Sequence, residues 1–310
     1  MEHQIIPVIG LPRALLYHRY GVLWRTFFSE LGIQTVLSPQ TNREIMENGA
    51  SLITDESCLS AKVFFGHVQA LLGACDYILV PRISNYGRLR NFCVRFEALY
   101  DMTRNVFRHT GQKFLSYDLN ALSGWEEDSA FMNMGQTLGC SAKQVKKAYK
   151  AAKKEEQHTW KLRVQAQEQV YKSDGIKILI AAHSYLIEDV YLGGSLVNIL
   201  KSLNTVPVRA DLVDRDAARN RCLELLPTCK WEVNQELVGG ILQHRDQVDG
   251  IILLSAFPCG PDAMVNEMLL RTCKGIPMLN LVLDSQVGTA GMETRLESFV
   301  DIIRFKEGKL

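Results

Sequence analysis

Eight cysteines are the residues of this sequence best suited to metal or nucleophilic chemistry, and three of them stand at the predicted start of a helix. These three are Cys58 in DESCLSAK, Cys93 in NFCVRFEAL and Cys259 in AFPCGPD. The free amide groups and the positive dipole end of a helix stabilise a neighbouring thiolate, which is the form that binds metals. We therefore take these three as the candidate ligands.

The other five cysteines have plainer surroundings. Most cysteines are predicted to be small apolar fillers, and Cys222 has the apolar spacing of a core residue. Cys75 follows the end of a predicted helix, Cys229 lies in a turn, and Cys273 lies in the last turn of its helix. Cys140, which directly precedes a long polar segment, remains a rival candidate. No CxxC pair occurs, so zinc ribbons and thioredoxin-like motifs have no support. Structural disulfides are not expected in a reducing cytosol.

Three widely separated cysteines allow several interpretations. They can be buried thiols without a ligand. They can hold zinc together with a histidine, although structural zinc sites usually use closely paired ligands. They can also bind three corners of a cubane iron–sulfur cluster, which would leave one iron open to a substrate or a bridge. The residue types alone leave these alternatives open.

The elements that must position these cysteines are predicted from alternating apolar strands and helical segments. The strands are predicted at residues 5–11, 35–39, 77–81, 113–119, 177–182, 206–213, 250–257 and 277–284. This alternation predicts an α/β fold of two doubly wound, Rossmann-like lobes with parallel sheets. In such sheets ligands bind beyond the carboxyl ends of the strands, where Cys93 and Cys259 are expected.

The chain is predicted to divide into three parts. An N-terminal lobe (1–140) carries the first two candidate cysteines, and a C-terminal lobe (175–310) carries the third. Between them, residues 141–174 combine many lysines with interspersed glutamates and glutamines, which favours a solvated linking helix over a nucleic-acid patch.

Composition and motifs exclude several classes of function. The formal net charge is +1 and 47% of the residues are hydrophobic, as in an ordinary globular protein without a general attraction to nucleic acid or membrane. The N-terminus lacks the features of a signal peptide, so we expect a cytoplasmic location. A Walker loop and a GxGxxG motif are both missing from the sequence, so neither ATP nor NAD binding of those kinds is expected.

Around Cys58, Cys93 and Cys259 the sequence resembles the 2-hydroxyacyl-CoA dehydratase component superfamily. This superfamily includes double-cubane iron–sulfur proteins and an uncharacterised domain associated with acyl-CoA dehydratase activases. The matching segments begin with VIGLPRALLYHRYGVLWRTFFSELG, LSPQTNREIMENG and DESCLSAKVFFGHV. They end with VDGIILLSAFPCGPDAMVNE and GIPMLNLVLDSQVGTAGMETRLESFVD, so the resemblance covers nearly the whole chain.

The resemblance implies that Cys58, Cys93 and Cys259 ligate an iron–sulfur cluster. The cluster would be a 4Fe–4S cubane or an 8Fe–9S double cubane shared across a dimer. The sequence departs from its relatives in AAHSYLIED, where Ala182 and Ser184 replace the glycine and proline of a glycine-histidine-proline-tyrosine turn. This departure puts the usual substrate pocket in doubt.

The resemblance also implies a function and partners. A separate ATP-dependent activase would deliver low-potential electrons to a (R)-2-hydroxyacyl-CoA dehydratase-like lyase component or to a reductase component, with an acyl-CoA as the possible substrate. The chain would form a homodimer or pair with a homologous subunit. The alternatives are a non-catalytic binding or regulatory module of the same fold and a metal-free structural relative.

A few other residues are candidates for a supporting role beside the cluster. We expect Arg13, Gly260 and Asp262 to lie near it, with Gly260 allowing close backbone approach and Asp262 supporting the start of a helix. His67 and His183 are either acid–base groups or histidines whose hydrogen bonds are satisfied within the fold.

Overall fold

The structure is a computed structural model that describes residues 7–285 and 289–306. It divides into two compact units, Met1–Trp160 and Lys161–Leu310. Each unit contains a four-stranded parallel sheet with helices packed around it.

The first unit contains four strands and the helices that connect them. Its strands are β1 (Ile9–Leu11), β2 (Thr35–Leu37), β3 (Tyr77–Asn85) and β4 (Lys113–Asn120). They are joined in parallel in the order β2-β1-β3-β4. The helices are α1 (Tyr17–Glu30), α2 (Arg43–Leu52), α3 (Leu59–Gln69), α4 (Val94–Val106), α5 (Glu127–Thr137) and the first part of α6 (Ala142–Tyr171).

The second unit repeats the same strand order. Its strands are β5 (Ile176–Ala181), β6 (Thr205–Arg209), β7 (Gly250–Ala256) and β8 (Met278–Leu283). They are joined in parallel in the order β6-β5-β7-β8. The helices after α6 are α7 (Ser184–Ile187), α8 (Gly194–Ser202), α9 (Arg215–Leu225), α10 (Glu232–His244), α11 (Gly260–Thr272) and α12 (Thr289–Lys306).

The predicted fold class is confirmed. Each predicted strand overlaps an observed one, although β6 ends at Arg209 and β3 extends to Asn85. Residues 5 and 6 of the first predicted strand lie outside the described residues. Residues 286–288 and 307–310 of the predicted C-terminal lobe also lie outside the described residues. The three-part division of the chain remains a prediction, and the boundary between the two units falls after Trp160, within α6.

The strand order places one switch point in each sheet. In both sheets the second strand lies on one side of the first strand, and the third strand lies on the other side of the first. Doubly wound proteins bind their ligands in the crevice beyond the carboxyl ends of the first and third strands, where the strand order reverses. The relevant segments therefore follow β1 and β3 in the first unit, and β5 and β7 in the second.

The second sheet is buried on both faces. Alternate residues of β5 and β7 enter two different apolar clusters, since Leu179 and Ile251 belong to one while Ile180 and Ile252 belong to the other. Successive side chains of a strand point to opposite faces, so helices must cover both. This explains why these strands read as continuous apolar runs.

Two helix pairs approach each other so closely that only glycine fits between them. A Cβ on Gly49 of α2 would lie 1.8 Å from the carbonyl oxygen of Lys62, and one on Gly66 of α3 would lie 1.9 Å from that of Ile45. In the second unit, a Cβ on Gly239 of α10 would lie 2.0 Å from the carbonyl oxygen of Ala218. The backbones of α2 and α3, and of α9 and α10, are therefore in direct contact.

The predicted linking helix is present as α6, with 30 residues. Most of its side chains are exposed, but Val145, Ala148 and Ala152 form a buried stripe on one side. Their spacing of three and four residues is that of one helix face. No helix in the described part of the chain is long and apolar enough to cross a membrane.

Candidate metal centre

The three candidate cysteines share one local geometry. Cys58, Cys93 and Cys259 are the N-cap residues of α3, α4 and α11, and each has an extended backbone conformation. The amide groups of the first helical turn have no partner within the helix, so they can stabilise a negative charge at the cap. All three cysteines are partly exposed thiols. The predicted position at helix starts is thus observed.

The other five cysteines do not cap helices in this way. Cys222, Cys229 and Cys273 are buried, and the hydrogen bond with Cys229, together with burial, raises the pKa of the Cys222 thiol. Burial raises the pKa of Cys75 to about 11 and also raises that of Cys140. A raised pKa disfavours the thiolate, so Cys75, Cys140 and Cys222 are less suited to metal binding than a cysteine at a helix start. The hydrogen bond with Cys222 instead lowers the pKa of the buried Cys229.

In the first unit, a charge at the start of α4 acts on the segment before Cys58. The pKa of the exposed Glu56 is lowered first by its own backbone amide and by Thr54, and then by the charges of Arg95 and Lys62. Arg95 lies two residues after Cys93, so its influence on Glu56 indicates that the two helix starts lie on the same side of the unit.

The surroundings of Cys58 include a buried hydroxyl without a hydrogen-bond partner. Ser60, two residues into α3, is 5% exposed, and its Oγ makes no hydrogen bond. Lys62 is also buried and donates from Nζ to the carbonyl oxygen of Asp55 at 3.2 Å. A buried polar atom without a partner is costly. Ser60 is therefore a candidate hydrogen-bond donor to a group bound at Cys58.

Arg13 follows β1 at the carboxyl edge of the first sheet. Its backbone amide donates to Ser38 Oγ at 2.8 Å, and its Nε is buried without a partner. Its charge acts on His67, since it contributes to lowering the pKa of that imidazole. Arg13 is therefore at the edge where a ligand was expected, while its role beside a cluster remains a prediction.

His67 is a buried histidine held by two hydroxyl groups. Its Nδ1 lies 2.8 Å from Ser38 Oγ, and its Nε2 lies 2.9 Å from Thr41 Oγ1. Burial, followed by the charges of His18 and Arg13, lowers its pKa to about 3. Both nitrogens are thus engaged within the fold, which favours the structural interpretation of this histidine over an acid–base role.

The buried His67 predicts an acid-sensitive stability. Its pKa is about 3 in the folded chain against 6.5 for an unperturbed imidazole, so unfolding takes up a proton between these values. The free energy of unfolding should therefore rise with pH across this window, by about 1.4 kcal/mol per pH unit from this residue. Urea denaturation from pH 4 to 7 should show a shallower slope for His67→Gln. The exposed His109→Gln is the control, and an equal slope in His67→Gln and wild type would contradict the assignment.

In the second unit, Cys259 lies beside a buried network centred on Asp262. The Oδ1 atom of Asp262 accepts from His183 Nε2 at 2.7 Å and from Asn234 Nδ2 at 2.8 Å. The side chain of Cys259 makes a hydrogen bond to the same carboxylate. His183 follows β5 and Cys259 follows β7, so the network spans the switch point of this sheet.

The ionisation of Asp262 follows from these partners. Burial is the largest influence on its pKa and raises it, but attraction to His183 and the hydrogen bonds from His183, Asn234 and Cys259 together lower the pKa below its usual value. An ionised carboxylate only accepts hydrogen bonds, so Nε2 of His183 carries the hydrogen. Gly260 begins α11, and a Cβ there would meet nothing within 4 Å.

An iron–sulfur cluster needs several thiolates and hydrogen-bond donors to its sulfur atoms. Within the described residues, no three His, Cys, Asp or Glu side chains are grouped to hold a metal ion. The chemistry of the individual positions nevertheless fits, because thiolates are the usual cluster ligands and helix amides and the Ser60 hydroxyl offer hydrogen bonds to sulfur. Two of the thiols belong to the first unit and one to the second.

The fold and these cysteines define a two-lobed α/β protein with thiols at helix starts. Among known families, one described as the CoA enzyme activase uncharacterised domain (DUF2229) matches residues 8–213. The chain belongs to this family, in agreement with its resemblance to the dehydratase component superfamily. The match includes Cys58 and Cys93 and ends before Cys259. No curated protein matches the chain.

Proposed function

We propose that the chain binds an iron–sulfur cluster through Cys58, Cys93 and Cys259 and receives low-potential electrons from an ATP-dependent activase. One observation carries this proposal: these three cysteines, selected by the resemblance, are also the ones at the N-caps of long helices. Partly exposed thiols at helix amides are suited to cluster ligation, whereas buried thiols of raised pKa are not.

The role of the protein is to bind and tune the cluster. When bound, a 4Fe–4S cubane or a double cubane shared across a dimer would supply one-electron, low-potential redox chemistry. The chain itself would provide thiolates and hydrogen bonds from helix amides, and it would limit access of water. Reduced thiols and such a cluster both suit the cytoplasm.

The partners follow from the family. Its description names a CoA enzyme activase, and we propose a separate activase as the electron donor. A second copy of this chain or a homologous subunit would complete the assembly. The activity would be that of a lyase component acting on a 2-hydroxyacyl-CoA, or that of an ATP-dependent reductase component.

A second candidate function is a non-catalytic binding module that serves an activase or a dehydratase subunit. The observation that favours it lies in the turn after β5, where Ala182 and Ser184 replace the glycine and proline of related sequences. The ring of His183 in this turn is 4% exposed and engaged by Asp262, so it is not presented to a substrate.

The experiment that tests the proposal is anaerobic reduction of the reconstituted protein by a purified activase. With ATP and a reductant, the visible absorbance should bleach, and an electron paramagnetic resonance signal of a reduced cluster should appear. ADP in place of ATP should give neither change. Reduction that is equally fast without activase or ATP would contradict the partner. Reduction without turnover of any acyl-CoA would favour the binding module.

A further inference from the structure

We propose that Asp262 is the positioning residue of Cys259 and that His183 and Asn234 hold it in place for this role. The inference rests on the proposed function in that it treats Cys259 as a ligand, but it concerns a network that exists without the metal. It assigns a role to His183 other than acid–base catalysis.

Three separate parts of the second unit converge on one carboxylate. His183 comes from the segment after β5, Asn234 from α10, and Asp262 from the first turn of α11. The exposed fractions are 4% for His183, 3% for Asn234 and 4% for Asp262. The two hydrogen bonds to Oδ1, at 2.7 and 2.8 Å, are short and have charged character.

Support of a helix start does not by itself account for this arrangement. A carboxylate in the first turn of a helix already interacts favourably with the helix dipole while exposed to water. Burying it is costly unless its lone pairs are satisfied. Here the carboxylate of Asp262 is buried and bound by side chains from two other elements, which fixes its position more tightly than the helix requires.

The fixed carboxylate in turn restrains the cysteine. Cys259 lies three residues before Asp262, and its side chain is hydrogen-bonded to that carboxylate. This bond limits rotation of the thiol at the carboxyl end of β7. The bond requires a protonated thiol, so it positions Cys259 in the metal-free chain, and the proton must leave before the thiolate binds a metal. Stacking of His183 on Tyr185, with ring centres 5.0 Å apart, fixes the imidazole as well.

The test compares two readouts in matched variants. In the metal-free chain, the rate at which a maleimide labels Cys259 is followed by peptide mapping. Asp262→Ala and His183→Ala should raise this rate about threefold to tenfold, since they release a hydrogen-bonded thiol. His183→Gln can still donate to Asp262 and should retain the wild-type rate. Asp211→Asn is the control, because it removes a buried carboxylate bonded to Arg209 in the same unit.

The second readout is the rate of iron loss to a chelator and the paramagnetic resonance spectrum of the reconstituted chain. A shifted spectrum is expected for Asp262→Ala, but not for Asp211→Asn, because a ligating thiolate lies beside the negative charge of Asp262 and no longer donates to it. The rate of iron loss shows whether the cluster survives each substitution. Equal labelling rates in Asp262→Ala, Asp211→Asn and wild type would overturn the positioning role. If wild type binds no iron but the labelling rates differ as expected, the proposed function fails and the positioning role stands. His183→Ala supplies the same test if Asp262→Ala does not fold.

Discussion

Gly66→Ala should lower the melting temperature of the protein by on the order of 10 °C, which corresponds to roughly 3 kcal/mol. In an ordinary helix the same change is stabilising, because alanine is the better helix former. Here the new Cβ would lie 1.9 Å from the carbonyl oxygen of Ile45. That oxygen belongs to the backbone of α2, so the helices α2 and α3 must separate. Since Cys58 is the N-cap of α3, the movement should also reduce iron binding.

The control for this substitution is Gly291→Ala in α12. A Cβ at Gly291 would meet nothing within 4 Å, so the melting temperature should stay the same or rise slightly. Thermal unfolding followed by circular dichroism measures both variants. A melting temperature for Gly66→Ala within about 2 °C of wild type, the shift expected for about 0.5–1 kcal/mol, would contradict the direct contact between α2 and α3.

Cys259→Ser should remove most of the iron from the anaerobically reconstituted protein, whereas Cys273→Ser should leave the iron content unchanged. The two residues flank the same helix, with Cys259 at the N-cap and Cys273 at the C-cap of α11. A thiolate is stabilised at the positive end of the helix dipole and destabilised at the negative end. A serine hydroxyl is a much poorer ligand for iron of a cluster.

The same comparison extends to the first unit. Cys58→Ser and Cys93→Ser should lose iron as Cys259→Ser does, while Cys75→Ser should not. Iron and acid-labile sulfide are measured on folded protein, as judged by circular dichroism, so that loss of cluster is separated from loss of fold. Equal iron contents in Cys259→Ser and Cys273→Ser would remove Cys259 from the ligand set.

Much of the fold could be predicted from the sequence because its signals are local. The apolar runs at β3, β5 and β7 are continuous, as expected of strands buried on both faces. Pro261 after Cys259 indicates the first turn of a helix, and α11 indeed begins at Gly260. The three cysteine positions at helix starts could be predicted for the same reason, since helix boundaries have a sequence signature.

The partners of these residues could not be predicted, because they are distant in sequence. Asn234 reaches Asp262 across 28 residues, and His183 reaches it across 79. Only the inference that β5 and β7 are adjacent at a switch point could have suggested the pairing of His183 with Asp262. Nothing local distinguishes Asn234 or the buried Ser60. The close approach of Gly66 to the carbonyl oxygen of Ile45 also involves a second helix, α2, so the sequence around Gly66 does not indicate it.

The most direct test of a three-cysteine iron–sulfur centre is the iron and acid-labile sulfide content of the wild-type chain after anaerobic purification and reconstitution. We expect about four irons and about four sulfides per chain, as in a cubane cluster or half of a double cubane. A chain that holds neither iron nor sulfide under these conditions would contradict the account. The three thiols at helix starts would then need another explanation.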